Sequence, residues 1–230
     1  MLQTLKEGLP SLGLSLSEET CQTLCRFGEE VIRQNEVMNL TAITEPKQVA
    51  KLHLLDSLSV LCAADLAGKK LIDVGCGAGF PGVPVKIGCP EVQLTLLDSL
   101  GKRMKWLETV MPTLGVDAEC ITARAEEAVV DRRESYDFAT SRAVARLNIL
   151  LELTAPYVKV GGAVLAMKGA AAKEELAEAK NAIAKLGLKL EKVVEFPVDG
   201  ASHWVIVLRK VAPTPAKFPR RYAKIKQAPL

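Results

Sequence analysis

The feature that most constrains the fold is an alternation of β-type and helical segments that begins at residue 69. The strand-like runs are KLIDVG, VQLTLLD, AECITA, YDFATS, GAVLAMK, KLEKVVEF and HWVIVLR, and the helical segments are residues 81–88, 101–114, 125–132, 143–158 and 171–186. Such alternation predicts an α/β protein with a mostly parallel, doubly wound sheet covered on both faces. The last two runs are joined by FPVDGASH without a helix, so the last of the seven strands is predicted to be antiparallel.

The segments on either side of this region have different patterns. Residues 15–34 begin with a capping box from Ser15 to Glu18, and residues 49–62 carry apolar side chains at helical spacing. Four prolines after residue 211 predict a tail that runs extended or becomes ordered only on contact. The predicted organisation is a helical N-terminal cap (1–66), a central α/β domain (67–211) and a basic C-terminal tail (212–230).

Charge is unevenly distributed along the chain. The net charge of the 230 residues is +3, yet no acidic residue follows Asp199, while seven Lys and Arg residues do. The part before the tail is therefore net acidic, and the basic tail predicts a polyanionic partner.

Composition and spacing limit the other classes of partner. The six cysteines lack the paired spacing of a metal site and are expected to be reduced and mostly buried, with no metal bound. The sequence has no signal-peptide pattern and no apolar segment of membrane-spanning length, so we expect a cytoplasmic protein without a membrane partner. A monomer is expected.

The segment LIDVGCGAGFPGVP, residues 71–84, places glycines at positions 75, 77 and 79 directly after the first predicted strand. In open α/β sheets, ligands bind beyond the carboxyl ends of the strands, and glycine lets a ligand approach the backbone closely. The order is D-x-G-x-G-x-G, and Phe80 stands where the dinucleotide pattern has its third glycine. A cofactor other than a dinucleotide is favoured, with dinucleotide binding and a purely structural tight turn as the alternatives.

Two carboxylates narrow the choice of cofactor. Asp73 precedes the first glycine by two residues, and a negative charge there suits an ammonium or sulfonium better than a pyrophosphate. Asp98 closes the second predicted strand, where a carboxylate can accept hydrogen bonds from both hydroxyls of a ribose. A nucleoside with a cationic tail fits both, so S-adenosyl-L-methionine is the predicted cofactor, bound by Asp73, Gly75, Gly77, Gly79 and Asp98.

From about residue 35 to the C-terminus, the motifs resemble those of the RsmG (GidB) family of bacterial small-subunit ribosomal RNA guanine-N7 methyltransferases. These motifs are NLTAI (39–43), HLLDSL (53–58), DVGCGAGFPGVP (73–84), LLDSLGKR (96–103), RAEE (124–127), SRAVA (141–145), AMKG (166–169) and the tail KFPRRYAKIKQAPL. The combination of GAGFPG with SRAVA is specific, whereas the glycine loop alone indicates only a methyltransferase.

The resemblance implies a class I methyltransferase (Rossmann-like) sheet with a helical N-terminal extension. It implies methyl transfer from S-adenosylmethionine to N7 of a guanine in the 530 loop of 16S ribosomal RNA, in the free RNA or in the small ribosomal subunit. Carried over by position, Gly75 and Phe80 contact the cofactor, Ala125 and Glu126 flank its adenine, and Arg142 lines the pocket.

Guanine N7 carries a lone pair and no proton, so we predict no catalytic acid or base and look instead for residues that position the guanine. Arg142 and Lys168 are the candidates for this role, and salt-bridged or strand-capping roles are the alternatives. For the tail, the alternative to RNA binding is that it folds back onto the protein. The candidate RNA-binding residues are Arg142, Arg146, Lys168, Lys102, Arg103, Arg220, Arg221 and Lys224.

His53, Asp56 and Ser57 superficially suggest a hydrolase triad. Adjacent helical residues point about 100° apart, so Asp56 and Ser57 cannot both serve His53. We predict a structural hydrogen bond between His53 and Asp56, and a structural role for His203.

Three other functions stay open at this point. The first is an S-adenosylmethionine-dependent methyltransferase that acts on another RNA or on a small molecule. The second is a non-catalytic RNA-binding protein on the same scaffold. The third is a nicotinamide-dependent oxidoreductase.

Overall fold

A computed structural model describes residues 1–198 and 200–230. Its strands are β1 (Lys70–Val74), β2 (Gln93–Asp98), β3 (Glu119–Thr122), β4 (Tyr136–Arg142), β5 (Val158–Lys168), β6 (Leu188–Val198) and β7 (Ala201–Lys210). They form one sheet in the order β3-β2-β1-β4-β5-β7-β6. β7 is antiparallel to both β5 and β6, and the other pairs are parallel, which confirms the predicted fold class. Asp199, in the predicted hairpin loop, lies outside the described residues.

Helices cover both faces of this sheet. The α-helices are α1 (Leu2–Gly8), α2 (Glu18–Met38), α3 (Pro46–Val49), α4 (Asp56–Ala63), α5 (Gly82–Gly88), α6 (Gly101–Thr113), α7 (Ala125–Ala128), α8 (Leu147–Thr154), α9 (Ala172–Glu178), α10 (Lys180–Lys185) and α11 (Tyr222–Gln227). A π-helical stretch, Ala50–Leu55, joins α3 to α4, and short 3-10 turns follow α1, α7 and α8. Of the described helices, none is long and apolar enough to span a membrane.

Side chains of the central strands alternate between two buried cores. Leu71 of β1 and Leu96 of β2 pack in one core with α2, α4 and α6, while Ile72 and Leu97 pack in the other with α8 and α10. Because successive strand residues point to opposite faces, a strand covered on both sides needs an uninterrupted apolar run. This is why adjacent residues within these strands, such as Leu71 and Ile72 or Leu96 and Leu97, are both apolar.

The helix predicted over residues 15–34 is α2, and it begins later than predicted. Ser17, not Ser15, caps α2, and its side-chain oxygen accepts a hydrogen bond from the backbone amide of Thr20 at 3.1 Å. Both serines are good helix caps, so the local pattern did not distinguish them. The helix then continues to Met38 rather than ending at residue 34.

The helix after β4 also begins later than predicted. Ala143 has a φ of +57°, which ends the regular backbone of β4, and α8 starts only at Leu147. Arg146 takes the N-cap position with an extended ψ of 153°. The predicted start of this helix at residue 143 is therefore wrong, and Arg142 and Arg146 do not share a helical turn.

The C-terminal tail is not extended. Phe218 and Ile225 are buried, with Ile225 fully inaccessible, and residues 222–227 form α11. Burial of these two side chains against the body of the protein offsets the effect of the prolines. The tail therefore folds back onto the protein, as the alternative to RNA binding stated in the sequence analysis has it.

Candidate functional site

A cavity of about 610 Å³ lies at the carboxyl ends of β1, β2 and β4. This is the edge of an open α/β sheet at which ligands bind. The residues predicted to bind the cofactor line it except for Asp73 and Gly79: Gly75, Gly77, Phe80, Asp98, Ala125, Glu126 and Arg142.

The glycine loop forms the floor of this cavity. Gly75 and Gly77 have φ values of +74° and +56°, in a backbone region that residues with a side chain rarely adopt. A Cβ on Gly75 would lie 2.5 Å from Cγ2 of Val144, whereas one on Gly79 would face the core, 2.9 Å from Leu107. Gly75 therefore keeps the cavity clear, and Gly79 allows close packing beneath the loop.

Asp98 holds the loop from the neighbouring strand. Its Oδ2 accepts a hydrogen bond from the amide of Gly77, and its Oδ1 accepts one from the amide of Leu100, both at 2.9 Å. A carboxylate has about four acceptor positions, so two such bonds leave room for further donors. The side chain can shape the loop and still accept hydrogen bonds from two hydroxyl groups in the cavity.

Asp73 lies beneath the loop and does not line the cavity. It is fully buried, its Oδ2 accepts a hydrogen bond from the amide of Gly82 at 2.8 Å, and Oδ1 has no partner among residues 1–198 and 200–230. Burial raises the pKa of Asp73 to about 7, although the Gly82 amide opposes this rise. The predicted placement of its charge at the cofactor is therefore corrected: Asp73 fixes the first turn of α5.

The buried Asp73 carboxyl is expected to make the stability of the protein depend on pH. Its pKa of about 7 in the folded state exceeds the ordinary value of 3.8, so the folded chain holds this proton more tightly. The resulting stabilisation is complete below about pH 4 and is lost as pH rises toward 7. Relative to Asp73→Asn, the wild-type free energy of unfolding should fall across this window in denaturant titrations.

The control for this experiment is Asp131→Asn, which changes an exposed carboxylate. The Asp131→Asn protein should follow the wild-type profile. Parallel curves for wild type and Asp73→Asn between pH 4 and 7 would contradict the assignment.

A second cavity, of about 550 Å³, adjoins the first. The two share a wall formed by His53, Arg142, Ala143 and Val144. On its far side the second cavity is lined by charged and polar groups, among them Asp56, Lys168, Glu175 and His203.

Arg142 ties this wall to the N-terminal helices. Its Nη1 donates to the carbonyl of Leu52 at 2.9 Å and to Oδ2 of Asp56 at 2.8 Å, and its guanidinium lies 5.1 Å from the centre of the Phe80 ring. The Arg142 side chain is 17% exposed and that of Asp56 only 6%. The pair is largely desolvated, so loss of either partner would leave a buried charge.

Asp56 pairs with His203 and not with His53 as predicted. Nδ1 of His203 lies 2.7 Å from Oδ1 of Asp56, across 147 positions of sequence. His53 instead contacts Thr41 Oγ1 through Nε2 at 2.8 Å and stacks on Phe80 at 4.8 Å. The partner of Asp56 is set by the approach of β7 to α4, which no local spacing reveals.

These contacts shift three pKa values. Burial and the Arg142 charge lower the pKa of His53 to about 4, so its ring is neutral near pH 7. Burial acts to raise the pKa of Asp56, but hydrogen bonds from His203 and Arg142 hold it below its usual value. The hydrogen bond to Asp56 raises the pKa of His203. The second cavity is thus lined by the neutral ring of His53, the carboxylate of Asp56 and the ring of His203, which is protonated more readily than an ordinary histidine.

Besides Arg142, three predicted RNA-binding residues are already held by the protein. Arg146 pairs with Glu174 and Glu178 at 2.7 Å, and Arg220 pairs with the buried Glu152 at 2.6 Å. Lys168 pairs with Glu175 at 2.8 Å, and its side chain is only 7% exposed. The contacts of Arg146 and Arg220 match the structural roles that were the alternatives to RNA binding. Lys168 differs from them because it also lines the second cavity.

Four other predicted RNA-binding residues have no such partner. Among residues 1–198 and 200–230, no hydrogen bond or ion pair engages the side chains of Lys102, Arg103, Arg221 and Lys224. Arg103 lines the first cavity, while the other three are exposed. These cations are available to a ligand outside the protein.

Sequence reasoning missed Tyr222 and Leu153, which also line the first cavity. The position of Tyr222 depends on the tail folding back, which the local pattern of a basic, proline-containing tail does not indicate. It also missed that Asp56 and His203 line the second cavity. In the part of the chain that the structure describes, no cluster of three or more His, Cys, Asp or Glu side chains could hold a metal ion.

The strand order, with β7 inserted antiparallel between β5 and β6, and the glycine-floored cavity define a class I methyltransferase fold. The fold is similar to that of M. jannaschii TYW2 in complex with AdoMet (TM-score 0.56, 13% identity, 68% of this chain and 75% of that one). It is also similar to a 16S rRNA adenine-N1 methyltransferase from Catenulisporales acidiphilia (TM-score 0.54, 16% identity, 69% and 93%). The chain belongs to the GidB family, rRNA small subunit methyltransferase G, whose model matches residues 20–203.

Full-length relatives support this assignment. The chain is 43% identical to ribosomal RNA small subunit methyltransferase G of Alkaliphilus metalliredigens over 223 residues, which cover 94% of this chain and 93% of that one. It is 43% identical to the protein of the same name from Caldanaerobacter subterraneus over 235 residues, covering 100% and 98%. The similarity therefore includes the C-terminal tail.

Proposed function

We propose that this protein transfers a methyl group from S-adenosylmethionine to N7 of a guanine in the 530 loop of 16S ribosomal RNA. The observation that carries the proposal is the pair of adjoining cavities with a shared wall at residues 142–144 and His53. One cavity has the features of a nucleoside site, and the other has the polar lining of a base site. Membership of the GidB family supplies the class of acceptor.

The residues of the first cavity fit S-adenosylmethionine. The backbone at Gly75 and Gly77 carries no side chain, and Asp98 has acceptor capacity for the ribose hydroxyls. Ala125 and Glu126 line the same cavity and are proposed to flank the adenine. When bound, the cofactor supplies an electrophilic methyl group on a sulfonium.

The second cavity is proposed to hold the acceptor guanine. Enzymes that act on a base take it out of its stack and read its edges by hydrogen bonds. Lys168 uses two of its three donors on Glu175 and the carbonyl of Ala145, and Nε2 of His203 has no partner among the described residues. Lys168 can donate to guanine O6, and Nε2 of His203 can do so when its ring is protonated, a state that the hydrogen bond to Asp56 favours, while Asp56 and Glu175 are acceptors for the guanine N–H groups.

The protein needs no general base for this reaction, because guanine N7 has an available lone pair and no proton. What it must provide is an oriented approach with water excluded, which can contribute about 7 to 11 kcal/mol in well-oriented cases. Arg142 is proposed as a positioning residue, since it holds the shared wall against Asp56 and Phe80.

Unpaired cations around the first cavity are proposed to grip RNA phosphates. Arg103 lines this cavity and follows Lys102 in α6, while Arg221 and Lys224 lie on either side of the cavity residue Tyr222 in the tail. Phosphate contacts supply much of the affinity for nucleic acid. The proposed partner is 16S RNA or the small ribosomal subunit in the cytoplasm, with the protein acting as a monomer.

Transfer of labelled methyl from S-adenosylmethionine to 30S subunits and to naked 16S RNA, both lacking the modification, tests this proposal. We expect 7-methylguanosine from the 530 loop after nuclease digestion. Methylation elsewhere would replace the acceptor, and binding of S-adenosylhomocysteine without transfer would support the non-catalytic alternative. A rise in melting temperature with NAD(H) instead of S-adenosylhomocysteine would favour the oxidoreductase.

A further inference from the structure

The C-terminal segment, residues 212–230, reaches back to the first cavity. Tyr222, at the start of α11, lines that cavity together with Leu153 of α8. The backbone amide of Tyr222 donates to Oε1 of Glu126 at 3.2 Å, and Glu126 lines the same cavity. The side of the cavity nearest α7 is therefore built partly from the tail.

A buried ion pair anchors this segment. The Glu152 side chain is fully inaccessible, and its Oε1 accepts from the amide and Nε of Arg220 at 2.9 and 2.8 Å. Its Oε2 accepts from Nη2 of Arg220 at 2.6 Å. A carboxylate this deeply buried requires a partner, and the tail provides the only one found for it among the described residues. Arg220 stands two residues before Tyr222, which lines the cavity.

A second anchor holds the segment from β4's leading loop. Arg133 donates to the carbonyls of Phe218 and Thr214 at 2.9 and 2.7 Å, and Glu134 accepts from the amide of Thr214 at 2.8 Å. The tail thus has fixed contacts at both ends of its path to Tyr222, in addition to the burial of Phe218.

We propose that Tyr222 is a cofactor-binding residue, and that the Glu152–Arg220 pair positions it, so that cofactor binding and docking of the tail stabilise each other. An aromatic side chain beside Ala125 and Glu126 offers a planar apolar surface to a purine base. Coupling of this kind is reciprocal: whatever the docked tail adds to cofactor affinity, the cofactor adds to tail docking. The inference rests on the proposed cofactor.

Calorimetric titration of S-adenosylhomocysteine tests the role of Tyr222. We expect Tyr222→Ala to raise the dissociation constant at least about fivefold, the usual loss when a stacking partner of a base is removed. Tyr222→Phe should keep near wild-type affinity because the ring is retained. Lys226→Ala, an exposed change four residues along the same helix, is the control and should bind like wild type.

Limited trypsin digestion tests the coupling without measuring activity. S-adenosylhomocysteine should slow tryptic cleavage after Arg221 and Lys224 in the wild type. The Glu152→Gln variant should be cleaved at these sites faster than the wild type and should bind S-adenosylhomocysteine more weakly. If Glu152→Gln does not fold, the Tyr222 variants still decide the proposal. The inference would be overturned if the wild type bound S-adenosylhomocysteine, Tyr222→Ala bound it with the same affinity, and the ligand gave no protection from trypsin. If the wild type did not bind S-adenosylhomocysteine at all, the proposed cofactor would be refuted instead.

Discussion

Gly75→Ala is expected to weaken the binding of S-adenosylhomocysteine by roughly tenfold to a hundredfold. The backbone at this position has a φ of +74°, and an added Cβ would lie 2.5 Å from Cγ2 of Val144 in the shared wall. Holding a non-glycine residue in this conformation costs about 1 to 3 kcal/mol. The loop can relieve the clash only by moving into the cavity or displacing the wall, and either change disturbs the site. Isothermal titration gives the affinity, and methyl transfer should fall with it.

The matched control is Gly101→Ala, which adds the same methyl group at the start of α6. Its Cβ would meet Cγ2 of Thr122 at 3.4 Å, the edge of ordinary contact, and its φ lies outside the positive region. We expect its affinity to match the wild type. If Gly75→Ala also bound with wild-type affinity, the loop would not be the floor of the cofactor site.

Arg142→Met is expected to lower methyl transfer by at least about a hundredfold, since small displacements of reacting groups have effects of that order. It should also destabilise the protein by about 3 to 5 kcal/mol, because Asp56 would be left buried with only His203 as a partner. Transfer assays under saturating cofactor and denaturant titrations measure the two effects separately.

A double variant separates positioning from stability. Asp56→Leu with Arg142→Met replaces the buried pair by apolar groups, so its loss of stability should be smaller than the sum for the single variants. Methyl transfer should stay low, because both the guanidinium of the wall and the proposed Asp56 acceptor for the guanine would be missing. Recovery of transfer together with stability would show that Arg142 acts only as a structural residue.

The sheet was predictable because its information is local. Each central strand buries side chains on both faces, as Leu71 and Ile72 do in separate cores, so adjacent apolar residues bounded by turn signals mark the strand by themselves. The glycine loop was predictable for the same reason: the turn after β1 needs positive φ at residues 75, 77 and 79, and glycine adopts it most readily.

The contacts between distant segments were not predictable. Asp56 meets His203, and Glu152 meets Arg220, only after α4, α8 and the last strands have packed on the sheet. A basic tail with four prolines has the same local pattern whether it is free or docked. The late start of α8 was hidden because the apolar spacing from residue 147 continues backwards through Ala143 and Val144.

Ala143 carries a consequence of its own. Its left-handed backbone costs roughly 1 to 2 kcal/mol in a residue with a Cβ, so neighbouring contacts must impose it. Ser141 donates to the carbonyl of Val74 at 2.6 Å on one side, and Lys168 donates to the carbonyl of Ala145 on the other. The chain segment between the two cavities is thus held by a hydrogen bond to β1 at one end and by one from β5 at the other, which makes it a preorganised partition between them.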